Sequence, residues 1–356
     1  MRVRFSKQSL NKALEVLNKV VDKRSALPQL AWVKVSSVNG YSQLQATDLE
    51  KYLTVRVPSN TEEVGEVCVA MKEFAKLMKG KEKEALLWEE GDKLVVEVGS
   101  VRSKLSMGSV EKFPEFPVST YNAVFSTKLL RDAIEKVGFA AATKDDYMDR
   151  LKCVFMDGEG SAVNFVASDG YRLAFLRVEF PFDMRLKFPQ GGLKVLTELL
   201  KREKADEVKL GKNENFVFIA GSDWELALRV QEWEYPDYKA VVPKEFATRV
   251  WVDIKDLDRA LENFFHLETV VFHIGEGLKL RASWSEYGEE NEIEAQVPAK
   301  VEGEGLVIAF NPKFLKQFTE INEGTVEMLF VGDEEYPVML NLSEDYFYLV
   351  MPRRMR

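Results

Sequence analysis

Three stretches decide the reading: FSKQSLNKAL at 5–14, FSTKLLRDAI at 125–134 and VDIKDLDRAL at 252–261. Each opens on an apolar residue, then places Ser6, Ser126 or Asp253, then returns apolar residues at helical spacing. A short oxygen-bearing side chain at that position can accept a bond from an orphan N–H of the first turn, so each stretch predicts an N-capped amphipathic helix. The starts lie 120 and 127 residues apart, a period of one domain. The same order follows each helix. Alternating apolar runs predict strand pairs at 29–35 with 44–57, 151–156 with 162–178, and 270–274 with 278–297. Second helices are expected at 71–79, 192–201 and 312–321. Closing strands are expected at 85–98 and 101–107, at 207–219 and 224–230, and at 325–331, 336–342 and 346–351. The first two units end on related motifs, FPEFP at 113–117 and YPDY at 235–238. The fold class is therefore α+β: three repeated domains, 1–119, 120–242 and 243–356, each with helices on one face of antiparallel sheet.

Composition excludes much. Cys68 and Cys153 are too few for a disulfide framework or a thiol-only zinc site. His266 and His273 lack the i, i+4 spacing of a helical zinc pair. No phosphate loop, dinucleotide fingerprint or nucleophile elbow occurs. Adjacent acids such as Asp145–Asp146 and Glu289–Glu290 are expected by chance among 58 acidic residues. No apolar run approaches the ~20 residues of a membrane helix, and the start of the chain lacks the apolar core of a secretory signal. The expectation is a cytoplasmic protein with no catalytic residues, no metal and no cofactor.

The 356 residues carry 49 basic and 58 acidic side chains, a formal charge of −9. That total argues against nucleic acid, whose affinity comes from Lys and Arg. Its distribution argues otherwise. The six helical windows, 6–20, 71–83, 126–138, 190–204, 253–266 and 311–322, together carry +7 and leave −16 elsewhere. If the helices share a face, that face suits the phosphates of a duplex, without base stacking or sequence reading.

Threefold repetition, basic helices and an acidic remainder resemble the bacterial sliding clamps, the beta subunits of DNA polymerase III. ATDLE at 46–50 and ASDGYRLA at 167–174 resemble the family's first- and second-domain hairpin motifs. Leu27 and Pro28 after Arg24, YPDY at 235–238 and YLVMPRRM at 348–355 also match, so the resemblance runs from the first helix to the last residues.

The resemblance implies a non-catalytic processivity factor in DNA replication. Two copies would close head to tail into a homodimeric ring, sheets outside, helices lining a hole that encircles double-stranded DNA. Expected DNA-facing residues are Arg24, Lys7, Lys12, Lys72, Lys76, Lys128, Arg131, Lys194 and Lys201. A peptide-binding pocket between the second and third domains is expected from Leu151, Ser168, Gly170, Tyr171, Arg172, Leu173, Pro236, Val241, Pro337, Leu349, Val350, Met351, Pro352 and Arg353. Apolar walls would take Leu or Phe anchors and Arg172 would offer donors at the rim. Tyr171 stands where a His is common and Ala240 replaces a frequent Arg. Expected partners are the DNA polymerase III catalytic subunit, the clamp loader, and other polymerases and repair proteins carrying a short binding motif. Leu105 with Phe264 or Phe265 are expected at the dimer interface, with plain core packing as an equal alternative. No membrane partner is implied; the expected location is the bacterial cytoplasm, at the nucleoid. A monomeric interaction scaffold without DNA encirclement and a carboxylate-dependent hydrolase remain as alternatives.

Overall fold

The computed structural model describes residues 1–143, 146–286, 289–333 and 335–355. In chain order the first repeat holds β1 (Arg2–Ser6), α1 (Lys7–Leu17), β2 (Trp32–Val38), β3 (Tyr41–Thr47), β4 (Lys51–Glu63), β5 (Gly65–Ala70), α2 (Met71–Leu77), β6 (Glu84–Glu90), β7 (Lys93–Val98) and β8 (Val101–Gly108). The second holds β9 (Ala123–Ser126), α3 (Thr127–Val137), β10 (Cys153–Gly158), β11 (Gly160–Ser168), β12 (Arg172–Phe182), β13 (Arg185–Pro189), α4 (Gln190–Arg202), β14 (Glu207–Lys212), β15 (Phe216–Ala220) and β16 (Trp224–Arg229). The third holds β17 (Thr248–Asp253), α5 (Ile254–Leu261), β18 (Val270–Ile274), β19 (Leu278–Glu286), β20 (Glu289–Val297), β21 (Ala299–Gly303), β22 (Leu306–Phe310), α6 (Pro312–Thr319), β23 (Thr325–Phe330), β24 (Val338–Ser343) and β25 (Tyr346–Val350).

The helices begin where the sequence puts them, but only part of the capping is as expected. Asp253 accepts from the Lys255 N–H at 2.9 Å and Ser126 Oγ accepts from Leu129 N at 3.4 Å. Ser6 makes no side-chain cap bond. A backbone device shared by all three repeats does that work. The first-turn N–H groups of Lys7, Thr127 and Ile254 donate to the carbonyls of Lys83, Asp206 and Gly324, at 2.9, 2.8 and 2.9 Å. Each acceptor follows the second helix of its own repeat. Leu10, Ala13, Leu14 and Leu17 form the buried stripe of α1, and Leu257, Ala260 and Leu261 that of α5.

The long strands expected at 44–57, 85–98 and 162–178 are each two antiparallel strands around a tight turn. The apolar run continues through such a turn, so periodicity alone does not see it. The turns at 48–50 and 169–171 are built alike. Thr47 Oγ1 accepts from Leu49 N at 2.9 Å, and Ser168 Oγ accepts from Gly170 N at 3.1 Å. Asp48 Oδ1 accepts from the N–H groups of Glu50 and Lys51, and Asp169 Oδ1 from those of Tyr171 and Arg172. Leu49 and Gly170 occupy the same left-handed conformation, with φ of 74° and 88°. Leu49 is the one non-glycine residue with positive φ among the described residues and carries the strain that glycine avoids.

Two compact units result: Met1–Arg131 with Gly191–Glu232, and Asp132–Gln190 with Trp233–Arg356. The second repeat contributes to both, because compaction follows the sheets. In the first unit, β1 pairs with both β6 and β4, so eight strands close on themselves. The strand β4 then carries the sheet into the second repeat by pairing with β16, Tyr52 opposite Ala227. In the second unit, β12 pairs with β25, Leu173 opposite Leu349, inside a nine-stranded sheet. A four-stranded sheet, ordered β20-β19-β18-β22, completes it. No described helix is long and apolar enough to cross a membrane.

Candidate functional site

The turn at 169–171 is one wall of a cavity of about 210 Å³ in the second unit. Its lining is Leu151, Ser168, Gly170, Tyr171, Arg172, Leu173, Tyr235, Pro236, Asp237, Tyr238, Val241, Pro337, Leu349 and Met351. Strand pairing sets the geometry. Leu173 and Leu349 face each other across β12 and β25, and the Met351 N–H donates to the Tyr171 carbonyl at 2.8 Å. That bond ties the end of the chain to the turn. Beneath lies a core of Val166, Leu173, Tyr238, Leu329, Met339 and Leu349. Tyr171 and Val241, each more than half exposed, stand at the rim.

Eleven of the fourteen expected pocket residues line this cavity. Three do not. Val350 is fully buried, because alternation along β25 turns it to the other face. Pro352 is half-buried outside the lining. Arg353 is pinned elsewhere: its N–H donates to Ala309 O at 2.7 Å and its Nη1 to Glu268 O at 2.6 Å. Tyr235, Asp237 and Tyr238 line the cavity and were not expected there, although the YPDY motif was the available signal.

Arg172 differs most from expectation. Its side chain is 8% exposed. Its Nε donates to Asp169 Oδ2 at 2.9 Å, its Nη2 to Phe139 O at 2.9 Å, and its Nη1 to Gln317 of α6. The guanidinium lies 4.5 Å from the Phe314 ring centroid. It is a buried tie between the turn and α6, with every nitrogen engaged, and is no rim donor.

The tyrosines are structural. The Tyr238 hydroxyl donates to Asp157 Oδ2 and accepts from Asn164 Nδ2, both at 3.0 Å. Burial pushes its pKa above the ordinary value, and Asp157 adds to that. Tyr235 stacks on Phe155 at 4.8 Å, and burial raises its hydroxyl well above the usual range. The cavity therefore presents mainly apolar wall and neutral tyrosine hydroxyls, with Asp237 the one carboxylate in its lining. At this size it suits one or two apolar side chains, below the usual volume of a small-molecule site. Both cysteines are buried and their pKa values are pushed up to about 12 by burial, so neither is a nucleophile. No cluster of three or more potential metal ligands occurs among the described residues. Asp145, Arg356 and the side chains of Asp146 and Glu289 lie outside the described part.

The first unit holds the counterpart of this cavity, where β4 meets β16: a recess of about 330 Å³ lined by Gln43, Gln45, Tyr52, Thr54, Phe116, Pro117, Ser119, Tyr121, Glu225 and Ala227. Its chemistry is different. Amides, hydroxyls and the Glu225 carboxylate replace the aliphatic wall, and Glu225 is engaged by Arg56 and by the Tyr121 hydroxyl.

Most expected DNA-facing cations are exposed: Arg24, Lys12, Lys72, Lys76, Lys128, Lys194 and Lys201, with Arg131 half-buried. Lys7 is not among them. It is 3% exposed, donating to Glu82 Oε2 and Lys79 O, each at 2.9 Å. The six observed helices contain fourteen basic and seven acidic side chains. The helix α5 itself is balanced, since its acidic surplus, Asp253 and Glu262, lies at and beyond its ends. Of the expected interface residues, Leu105 is half-buried on β8 and Phe265 is half exposed. Phe264 is fully buried in its own chain, so core packing is its role.

The profile of the DNA polymerase III beta subunit N-terminal domain matches residues 1–117, and that of its C-terminal domain matches residues 239–354. The structure is similar to that of the DNA polymerase III beta subunit of Thermotoga maritima, with a TM-score of 0.91 and 30% identity over the whole of both chains. It is similar to the Pseudomonas aeruginosa clamp bound to griselimycin, with a TM-score of 0.90 and 25% identity, again over both whole chains. A curated relative named beta sliding clamp, also from Pseudomonas aeruginosa, is 26% identical over the full length of both. Matched at both ends by the family's domain profiles and along its whole length by solved clamps, the chain belongs to the DNA polymerase III beta subunits, the bacterial sliding clamps.

Proposed function

We propose that this chain encircles duplex DNA as a homodimeric ring and tethers the replicative polymerase through the cavity at Leu173 and Leu349, acting without catalysis as a processivity factor. One observation carries the reading beyond family membership. Strand β4 is joined to β16 and β12 to β25, each a hairpin strand paired with the last strand of the following repeat. The corresponding hairpin strand of the third repeat is β20, which pairs only with β19 among the described residues. The last strand of the first repeat is β8, whose stretch from Val101 to Leu105 pairs only with β7. Pairing β8 of one copy with β20 of the next repeats the same joint and closes a head-to-tail ring. Charge supports it: β8 exposes Arg102 and Lys104, while β20 exposes Glu290, Glu292 and Glu294. Leu105 and Phe265 are apolar contacts of this joint. Three domains, 1–119, 120–242 and 243–356, follow the repeat.

Lys12, Arg24, Lys72, Lys76, Lys128, Arg131, Lys194 and Lys201 are the proposed duplex-facing cations. A ring held on topologically needs only weak phosphate contacts, which suits modest helix charge on an acidic body. The cavity accepts apolar anchors from the polymerase, the clamp loader and repair proteins. The test loads the protein onto nicked circular and linear DNA and measures retention, with light scattering for oligomeric state. Long retention on the circle and loss from linear ends is expected. A strict monomer that leaves both equally fast sinks the ring and favours a monomeric scaffold.

A further inference from the structure

Beside the docking cavity stands a feature that the family reading does not use. Trp233 is 54% exposed, the only exposed tryptophan among the described residues. An exposed indole offers a large, rigid contact face with one polar handle, which is why tryptophan is enriched at interfaces. Its backbone is fixed, because Lys187 Nζ donates to the Trp233 carbonyl at 2.7 Å. The Arg150 guanidinium lies 5.3 Å from its ring centroid. Arg150 is itself exposed, and no carboxylate lies against it among the described residues. Both residues adjoin the cavity wall in the chain: Leu151 follows Arg150, and Tyr235 and Pro236 come two and three residues after Trp233.

We propose that Arg150 and Trp233 form a shelf that extends the docking cavity and binds an acidic residue flanking the apolar anchors of the docked peptide. The proposal rests on the docking reading. An extended chain advances about 3.3 Å per residue, so the first few residues beyond an anchor reach the shelf. An exposed guanidinium within cation–π distance of an aromatic ring still has N–H donors open to solvent, and its planar fork matches a carboxylate in two-point geometry. Net charge alone does not select the acid. Glu232 and Glu234 flank Trp233, and Lys152 is taken by Asp149. The selection comes from the open guanidinium fork beside the indole, and the peptide's backbone covers the indole.

The experiment uses the full chain and fluorescence anisotropy with labelled peptides. One is a five-residue core carrying adjacent Leu and Phe. The others add Asp-Glu, or Gly-Ser, to its N-terminal or its C-terminal end. The readout in each variant is the ratio of extended-peptide to core-peptide affinity. For the natural sequence, the acidic extension at one end should tighten binding about fivefold over Gly-Ser, the scale of one good surface pair. The ratio should fall to about one in Arg150→Met and in Trp233→Ala, with Arg150→Lys in between. Acidic extensions that gain nothing at either end, or a gain that persists in Arg150→Met, overturn the shelf. A core peptide that fails to bind the natural sequence overturns the docking reading instead.

Discussion

Replacing Arg172 by Met separates two accounts of the docking wall. If the guanidinium were a rim donor, the change would leave the fold intact and weaken peptide binding. The structure places it inside, 8% exposed, with a carboxylate 2.9 Å from Nε, a backbone carbonyl 2.9 Å from Nη2, the Gln317 amide on Nη1 and the Phe314 ring at 4.5 Å. Removing one partner of a buried pair leaves the other uncompensated, which costs about 3–5 kcal/mol. Asp169 keeps two backbone N–H donors, which holds the expectation near 3 kcal/mol on that scale. Met retains most of the apolar volume, so little of the loss is cavity. A chain of two compact units need not unfold in one step, so the assay is hydrogen exchange resolved by peptide, with urea melting alongside. Protection should fall in β11, β12 and α6 while β1 to β8 exchange as before. Arg172→Lys should recover only part of it, since an ammonium reaches Asp169 but not three separated partners. A loss below about 1 kcal/mol, together with peptide affinity down tenfold or more, would show that the buried-tie reasoning is wrong.

Three further outcomes are expected. Gly170→Leu should cost about 1–2 kcal/mol in thermal unfolding through its left-handed φ of 88°, and should weaken peptide docking; unchanged stability would mean that the turn relaxes. Burial opposes the Glu203 charge, but the N–H groups of Ala205 and Ser222, the Ser222 hydroxyl and the Lys204 N–H outweigh it and hold its pKa below the ordinary value. Its contribution is therefore present above the unfolded carboxylate pKa of about 4.3 and lost as pH falls through the depressed one; denaturant melts from pH 7 to 3 should show a shallower acid loss in Glu203→Gln. Reversing Arg102 and Lys104 to Glu should raise the dimer dissociation constant about tenfold or more in sedimentation, at about 0.5–1 kcal/mol per pair, and Glu290→Lys with Glu292→Lys should restore it; an unshifted constant argues against the proposed joint.

The repeat was legible because its signals are local. A cap residue, a helical stripe and a period need only neighbours in the chain, and α1, α3 and α5 begin where those signals lie. The turns at 48–50 and 169–171 show only as the hairpin motifs at 46–50 and 167–174 and not in the periodicity, since the apolar alternation runs through both and Leu49 by itself does not look like a turn residue. Arg172 and Lys7 were misplaced for one reason. Long cations are ordinarily exposed, and the partners that bury these two, Gln317 and Glu82, lie 145 and 75 residues away. Phe264 and Phe265 look alike in sequence, yet the structure buries one and half exposes the other. The cavity was legible only through the family resemblance carried by 167–174, 235–238 and 348–355, since its walls meet from distant parts of the chain, while Tyr235 and Tyr238 were missed because the linker was read only at Pro236 and Val241.

The polar recess between β4 and β16 has a consequence for traffic. A duplicated scaffold would by default offer an equal berth at every joint, but at the first Gln43, Gln45, Thr54 and Glu225 stand among the apolar side chains and make it a poorer seat for an apolar anchor. Within the two copies of a ring this leaves two apolar berths rather than four. Partners present together must compete for them by mass action, so abundance and residence time, not added surface, decide which protein works on the DNA at a given moment.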